Sequence, residues 1–154
     1  MKRNTTTRAL ALAAFAFALG VAPMAKADNK GCSLATLKGT WADKDTGFIT
    51  APPQFAGTFA ALTVETYDGN GNVTFSGTAS LNGNIVSSTA KGTYTVNPDC
   101  AGTYTAVNPV LGITAHAVFV IADSGNELQI LVTDPGTVIS CIARRQFPAG
   151  DWRE

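Results

Sequence analysis

Residues 59–81 read F-A-A-L-T-V-E-T-Y-D-G-N-G-N-V-T-F-S-G-T-A-S-L, and no other stretch restricts the fold of this chain so much. In its second half Val73, Phe75, Ala79 and Leu81 alternate with Asn72, Thr74, Ser76, Thr78 and Ser80, a period of two that lays one apolar row against a core. The first half is rich in β-branched and aromatic residues, and Asp68-Gly69-Asn70-Gly71-Asn72 between them tolerates positive φ, so the chain can reverse tightly. The stretch is a β-hairpin, and the rest of the chain repeats it.

Before it, residues 33–37 have room for one helical turn, with Ser33 as its cap, and Gly39-Thr40-Trp41 opens a first strand ending near Thr50. Ala51-Pro52-Pro53-Gln54 breaks that strand, because prolines cannot donate to a ladder. After the hairpin, strands are expected over 85–96, 103–107, 113–122, 127–133 and 137–147, each ended by a Gly, Pro, Asn or Asp turn. Eight strands with short connections and no βαβ spacing imply an all-β antiparallel sheet. Such a sheet must close or double over to manage its edges. Hairpin-short links favour an eight-stranded up-and-down barrel over the alternative, a β-sandwich.

Residues 1–27 have the make-up of a signal peptide. Lys2, Arg3 and Arg8 form a basic leader, residues 9–21 are apolar but too short to span a bilayer, and Ala25-Lys26-Ala27 suits a signal peptidase. The expected plan is a leader at 1–27, one barrel domain at 28–147 and a tail at 148–154, with the mature protein secreted or periplasmic, without a transmembrane segment, and able to form oligomers. Cleavage would remove four basic residues and no acid, leaving 7 basic against 11 acidic residues and a net charge of about −4. That balance, with no basic cluster, offers nucleic acid no footprint.

The cysteines, Cys32, Cys100 and Cys141, lie too far apart for a metal knuckle, and in an exported chain suit one disulfide plus one free thiol. Up-and-down order puts Cys32 and the 97–102 turn at the same end, which favours Cys32–Cys100 and leaves Cys141 a buried thiol. Cys32–Cys141 is the competitor, since first and last strands are neighbours in a closed barrel.

The same order collects loops 51–54, 82–84, 109–112 and 134–136 at the other end, two of them apolar. An eight-stranded barrel with a greasy mouth can hold one small molecule. Phe48, Pro53, Phe55, Val110, Leu111 and Ile113 are the expected mouth contacts, with Phe75 and Tyr94 deeper.

The short turn before Gly39-Thr40-Trp41, the hairpin strands and the basic pair Arg144-Arg145 on the last one resemble the lipocalin-like (calycin) barrels. The resemblance implies that Trp41 lies at the closed end with Arg145 packed across it. Gly92-Thr93-Tyr94-Thr95-Val96-Asn97 and Asp99-Cys100 also look like small exported bacterial proteins related to the allene oxide cyclase and dirigent barrels. No position matches the catalytic constellation of the cyclases, and Thr133-Asp134, which follows the seventh strand, is a simple turn.

Other candidate chemistry is sparse. Asp68, Asn70 and Asn72 begin like a calcium loop, but Val73 and Ala79 stand where Gly and Glu are needed. His116, the single histidine, shares parity with Val118 and Val120 and is read as a surface or satisfied residue. Asp43 and Asp45 share parity with Trp41 and would enter the lumen on an unbroken strand, a pair fit for acid–base work. Phe48, on the opposite parity, is read instead as marking a bulge that leaves them solvated; Glu65 and Tyr67 are ambiguous in the same way. No nucleophile elbow or phosphate loop is present, and no catalytic residue, metal or cofactor is expected. The leading expectation is a non-catalytic exported barrel binding a small apolar molecule. The alternatives are a cofactor-free cyclase or isomerase and an envelope protein with a solid core.

Overall fold

The computed structural model describes residues 31–147. The leader expected at 1–27 and the tail at 148–154 lie outside them. Eight strands form one closed antiparallel barrel in chain order: β1 (Gly39–Ile49), β2 (Gly57–Tyr67), β3 (Asn72–Leu81), β4 (Asn84–Val96), β5 (Ala101–Asn108), β6 (Ile113–Ala122), β7 (Glu127–Val132) and β8 (Thr137–Arg145). β8 closes on β1 from Trp41↔Arg145 to Ile49↔Thr137, so neither terminal strand is left as an edge. The sandwich alternative is thereby excluded.

The β2–β3 hairpin folds as its turn chemistry requires. Asp68 Oδ1 accepts from the backbone N–H groups of Asn70 at 2.7 Å and Asn72 at 3.0 Å, and Oδ2 accepts from Asn72 Nδ2 at 2.6 Å. These bonds hold the Asp68 carboxyl below its ordinary range and spend its oxygens on the turn. They also set the register. With Tyr67 opposite Val73, Glu65 faces Phe75 and Ala61 faces Ala79, so β2 turns inward the row containing Glu65 and leaves Leu62 and Val64 exposed.

β1 carries the main correction to the sequence reading. Its ladder to β2 runs residue by residue from Gly39↔Tyr67 to Ile49↔Gly57 with no bulge at Phe48. Phe48 points outward beside Val138 and is 47% exposed, whereas Asp43 is buried inside the barrel. The strand stays unbroken at Gly47, where a β-carbon would collide with the Val138 carbonyl: glycine lets β8 approach closely, so no extra residue is extruded.

The end bearing the 68–71, 97–100 and 123–126 loops is plugged. A 3₁₀ turn, Leu34–Leu37, lies across it and buries Leu37. Trp41 Nε1 donates to Leu37 O at 2.9 Å and Tyr94 Oη donates to Leu34 O at 3.0 Å. The Arg145 guanidinium sits 4.4 Å from the Trp41 ring centroid and donates to the carbonyls of Lys38 (2.7 Å), Thr36 (2.8 Å) and Gly125 (2.9 Å). The Cys32–Cys100 disulfide ties the segment before the turn to the β4–β5 loop, and Cys141 is a free, buried thiol.

Arg145→Lys keeps the charge but loses the planar fork that reaches three carbonyls. The expected cost is roughly 2 kcal/mol, from two orphaned carbonyls and a weakened cation–π contact, read as a lower urea midpoint. A variant within experimental error of wild type would show that the plug is held without this residue.

Candidate functional site

The plug leaves the other end open, and the lumen above it is hollow for a reason visible in side-chain size. From β2 to β6 the inward positions include Ala61, Gly77, Ala79, Ala90, Ala106 and Ala115, too small to meet across the barrel. Gly77 could not be larger, since a β-carbon there would come within 2.5 Å of Leu62 O. The opposite wall carries Leu128, Ile130, Ile139 and Cys141, all buried.

Two chambers result. The inner one, about 170 Å³, is lined by Asp43, Asp45, Glu65, Phe75 and Tyr104 among others. The outer one, about 280 Å³, lies toward the mouth against Ile49, Pro52, Phe55, Leu111 and Ile139. Asp45, Phe59, Tyr104, Leu111, Ile113 and Ala115 line both, so the chambers abut. The solid interior expected of a barrel that works only through its surface is not what this chain builds.

Of the residues expected to meet a ligand, Phe55, Leu111 and Ile113 line the outer chamber, and Phe75 lines the inner one, its ring 5.5 Å from that of Tyr104. Phe48, Pro53 and Val110 do not line the lumen: Phe48 takes the outward parity of β1, and the other two project from exposed loop positions. Tyr94 faces the plug, edge-on to Tyr67, with its hydroxyl committed to Leu34. His116 lies outside the lumen, its Nδ1 2.7 Å from Asp134 Oδ1.

The residues that sequence reasoning set aside are the ones that give the site its character. Asp43 and Asp45 enter from β1 and Glu65 from β2; Asp43 is 4% exposed and Glu65 is 0%. A carboxyl oxygen of each of Asp43 and Asp45 and the Cys141 sulfur lie within 4.8 Å of one another. Donors are scarce. Tyr67 Oη donates to Glu65 Oε2 at 2.9 Å, the Cys141 thiol supports Asp45, and a proton on Asp43 is shared with Glu65 or Asp45; no other side chain or backbone group donates to Asp43 Oδ1 or Glu65 Oε1, both buried. Among the described residues no cation enters the cluster: Lys44 and Arg144 point outward, and Arg145 serves the plug.

Burial therefore pushes the carboxyls up. Asp43 rises to about 9, first through loss of solvent and then through the charges of Glu65 and Asp45. Glu65 rises to about 7, mainly through burial, against the opposing hydrogen bond from Tyr67. Asp45 is raised by burial. The Cys141 thiol is pushed far up by burial and by the Asp45 charge beside it, so it stays protonated.

The signal for this cluster lay in the hairpin register. Asp68–Asn72 chemistry pairs Tyr67 with Val73, which forces Glu65 onto the face of Phe75, and the unbroken pairing of β1 to β2 then brings in Asp43 opposite Thr63.

The fold has counterparts among solved structures. The chain is similar to a redesigned β-barrel, mFAP1, bound to DFHBI, at 17% identity and a TM-score of 0.50, covering 73% of this chain and 97% of that one. A second redesigned barrel, mFAP0, also bound to DFHBI, has 16% identity and a TM-score of 0.48, covering 71% of this chain and 99% of that one. At such identities the likeness concerns the fold alone. No family model and no curated protein matches the chain.

Proposed function

We propose that this protein is an exported barrel that binds a small, largely apolar molecule in its lumen without transforming it. The observation that carries the reading is the pair of abutting chambers, the outer one reaching the mouth among Pro52, Phe55 and Leu111. Concave, mostly apolar cavities with a few polar groups at one end are the usual form of a small-molecule site. Export draws on the basic–apolar leader and on the Cys32–Cys100 disulfide, which suits an oxidising compartment. The mass of the protein recovered from cells should then correspond to a chain starting at Asp28.

The binding test uses N-phenyl-1-naphthylamine, a neutral apolar probe whose fluorescence rises in a dry site. Wild type is expected to bind it, and Leu111→Trp, which fills the passage between the chambers, should weaken binding by roughly tenfold or more. Leu62→Ser, on the outer surface, should leave it unchanged. A wild type that takes up no apolar probe would overturn the reading.

One observation favours a second reading, a cofactor-free isomerase: Glu65 is raised to about 7, where a carboxyl both gives and takes protons readily, and it holds the Tyr67 hydroxyl. In that case a bound substrate would exchange C–H hydrogen with solvent deuterium, and Glu65→Gln would stop the exchange. Ligand recovered unchanged and without deuterium keeps the binding reading.

A further inference from the structure

We propose that the molecule held in the lumen is an amine, its ammonium group seated among Asp43, Asp45 and Glu65 and its apolar part lying in the outer chamber against Phe55, Leu111 and Ile113. The inference rests on the lumenal-binding reading above and specifies the ligand's chemistry.

Folding alone gives no reason for the cluster. Three carboxyl groups placed inside a barrel without a cation oppose the hydrophobic interior around them, and apolar residues of similar size would be more stable there. Features that violate the local rules of packing in this way are where function is expected. The deficit has a definite chemical form: the cluster is rich in acceptors, and the buried Asp43 Oδ1 and Glu65 Oε1 have no donor except the protons the carboxyls share among themselves. An ammonium group supplies three N–H donors and the missing positive charge in one compact head. Phe75 and Tyr104, tilted together in the same chamber, add aromatic surface that favours a cation.

A bare metal ion fits less well. The group close enough to share an ion is Asp43, Asp45 and Cys141, two hard oxygens with one soft sulfur, and it does not include Glu65, whose buried Oε1 an ion there would leave unserved. A metal would also leave the apolar outer chamber without a role, whereas an amine with an alkyl or aromatic body uses both chambers.

Every titratable group facing the site bears on its pH dependence. These are Asp43 and Asp45 from β1, Glu65 and Tyr67 from β2, Tyr104 from β5 and Cys141 from β8, with Asp134, after β7, at the outer chamber, where it accepts from His116 N–H; β3, β4, β6 and β7 contribute Gly77, Ala90, Ala115 and Ile130, which do not titrate. Because the carboxyls hold protons, an incoming ammonium displaces them, and affinity rises with pH until the amine itself deprotonates.

The test is calorimetric titration of the full chain at pH 8 with octylamine, 1-octanol and octanoate, in two buffers of different ionisation enthalpy. Octylamine is expected to bind roughly ten- to a hundredfold more tightly than octanol, with octanoate weakest and with proton release that the two buffers reveal. Asp43→Asn and Glu65→Gln, each close in shape to the native residue, should erase most of the preference for octylamine over octanol. Should either variant fail to fold, proton release by wild type still decides. Octanol binding as well as octylamine, with no proton release, would overturn the amine inference and leave lumenal binding intact. Failure of all three probes, and of the neutral naphthylamine, would overturn both. Zn²⁺ or Mn²⁺ binding that Asp43→Asn abolishes, without amine preference, would make this a metal site and also overturn the inference.

Discussion

Raising the pH from 4 to 9 is expected to destabilise this protein by several kcal/mol, opposite to the behaviour of a protein whose carboxylates are paired. Asp43 and Glu65 have folded-state values of about 9 and about 7, above their ordinary 3.8 and 4.5. Below about pH 3 both are protonated whether the chain is folded or unfolded, and their contribution to stability is complete. As the pH rises the unfolded chain ionises first while the folded chain holds its protons. Stability therefore falls through the window up to about 7 for Glu65 and about 9 for Asp43. Each unit by which a buried carboxyl is raised corresponds to about 1.4 kcal/mol, so Glu65 alone accounts for roughly 3 kcal/mol. Against a typical total of about 5–15 kcal/mol that is a large share. The double variant Asp43→Asn, Glu65→Gln removes both protonation steps and adds amide donors to an acceptor-rich cluster. Its urea midpoint should fall much less than that of wild type from pH 5 to pH 9, the remaining slope coming from the buried Asp45, and should exceed wild type at pH 9. A wild-type midpoint that rises over this interval would mean that the carboxyls are solvated or paired.

Removing the Cys32–Cys100 crosslink is the second large effect. The bond spans 68 residues, and opening a loop of that size gives the unfolded chain conformational freedom worth roughly 4 kcal/mol. The folded state loses little directly, since Cys32 N also donates to Pro98 O at 3.2 Å and the plug keeps its Trp41, Tyr94 and Arg145 bonds. The Cys32→Ser, Cys100→Ser variant should therefore be folded but unfold at lower denaturant. Cys141 supplies an internal reporter, because it is buried and should react with a thiol reagent only when the barrel opens. Faster labelling with an unchanged spectrum at low denaturant is the expected result. A variant within about 1 kcal/mol of wild type would show that residual structure already restricts the unfolded chain.

If both predictions hold, the protein keeps its most expensive feature where it contributes least to stability. The plug and disulfide secure one end, while the carboxyls strain the middle, as expected of a site maintained for what it binds.

The strand order and the inward row of β3 were legible because alternation and turn residues are local signals. Thr74 and Ser76 could not face a core beside Phe75, and Asp68–Asn72 could only reverse the chain. The two ends followed from up-and-down order, which grouped Cys32 with the 97–102 turn. The cluster was harder to read. Asp43 and Asp45 look solvated by composition, and in β2 the outward Leu62 and Val64 are more apolar than the inward Thr63 and Glu65. Hydrophobicity ranks those faces the wrong way round; register ranks them correctly, and register is a property of the paired strands.

The amino-acid sequence by itself determined an all-β chain, eight strands in hairpin order and the inward row of β3, because each depends on φ preference and side-chain period over a few residues. Only the closed tertiary structure decided that β1 runs without a bulge, that Phe48 faces outward, and that three carboxyl groups line one chamber. Those outcomes depend on how closely β8 approaches β1 at Gly47 and how far small side chains fall short of one another across the lumen. Both distances exist only once the cylinder has closed.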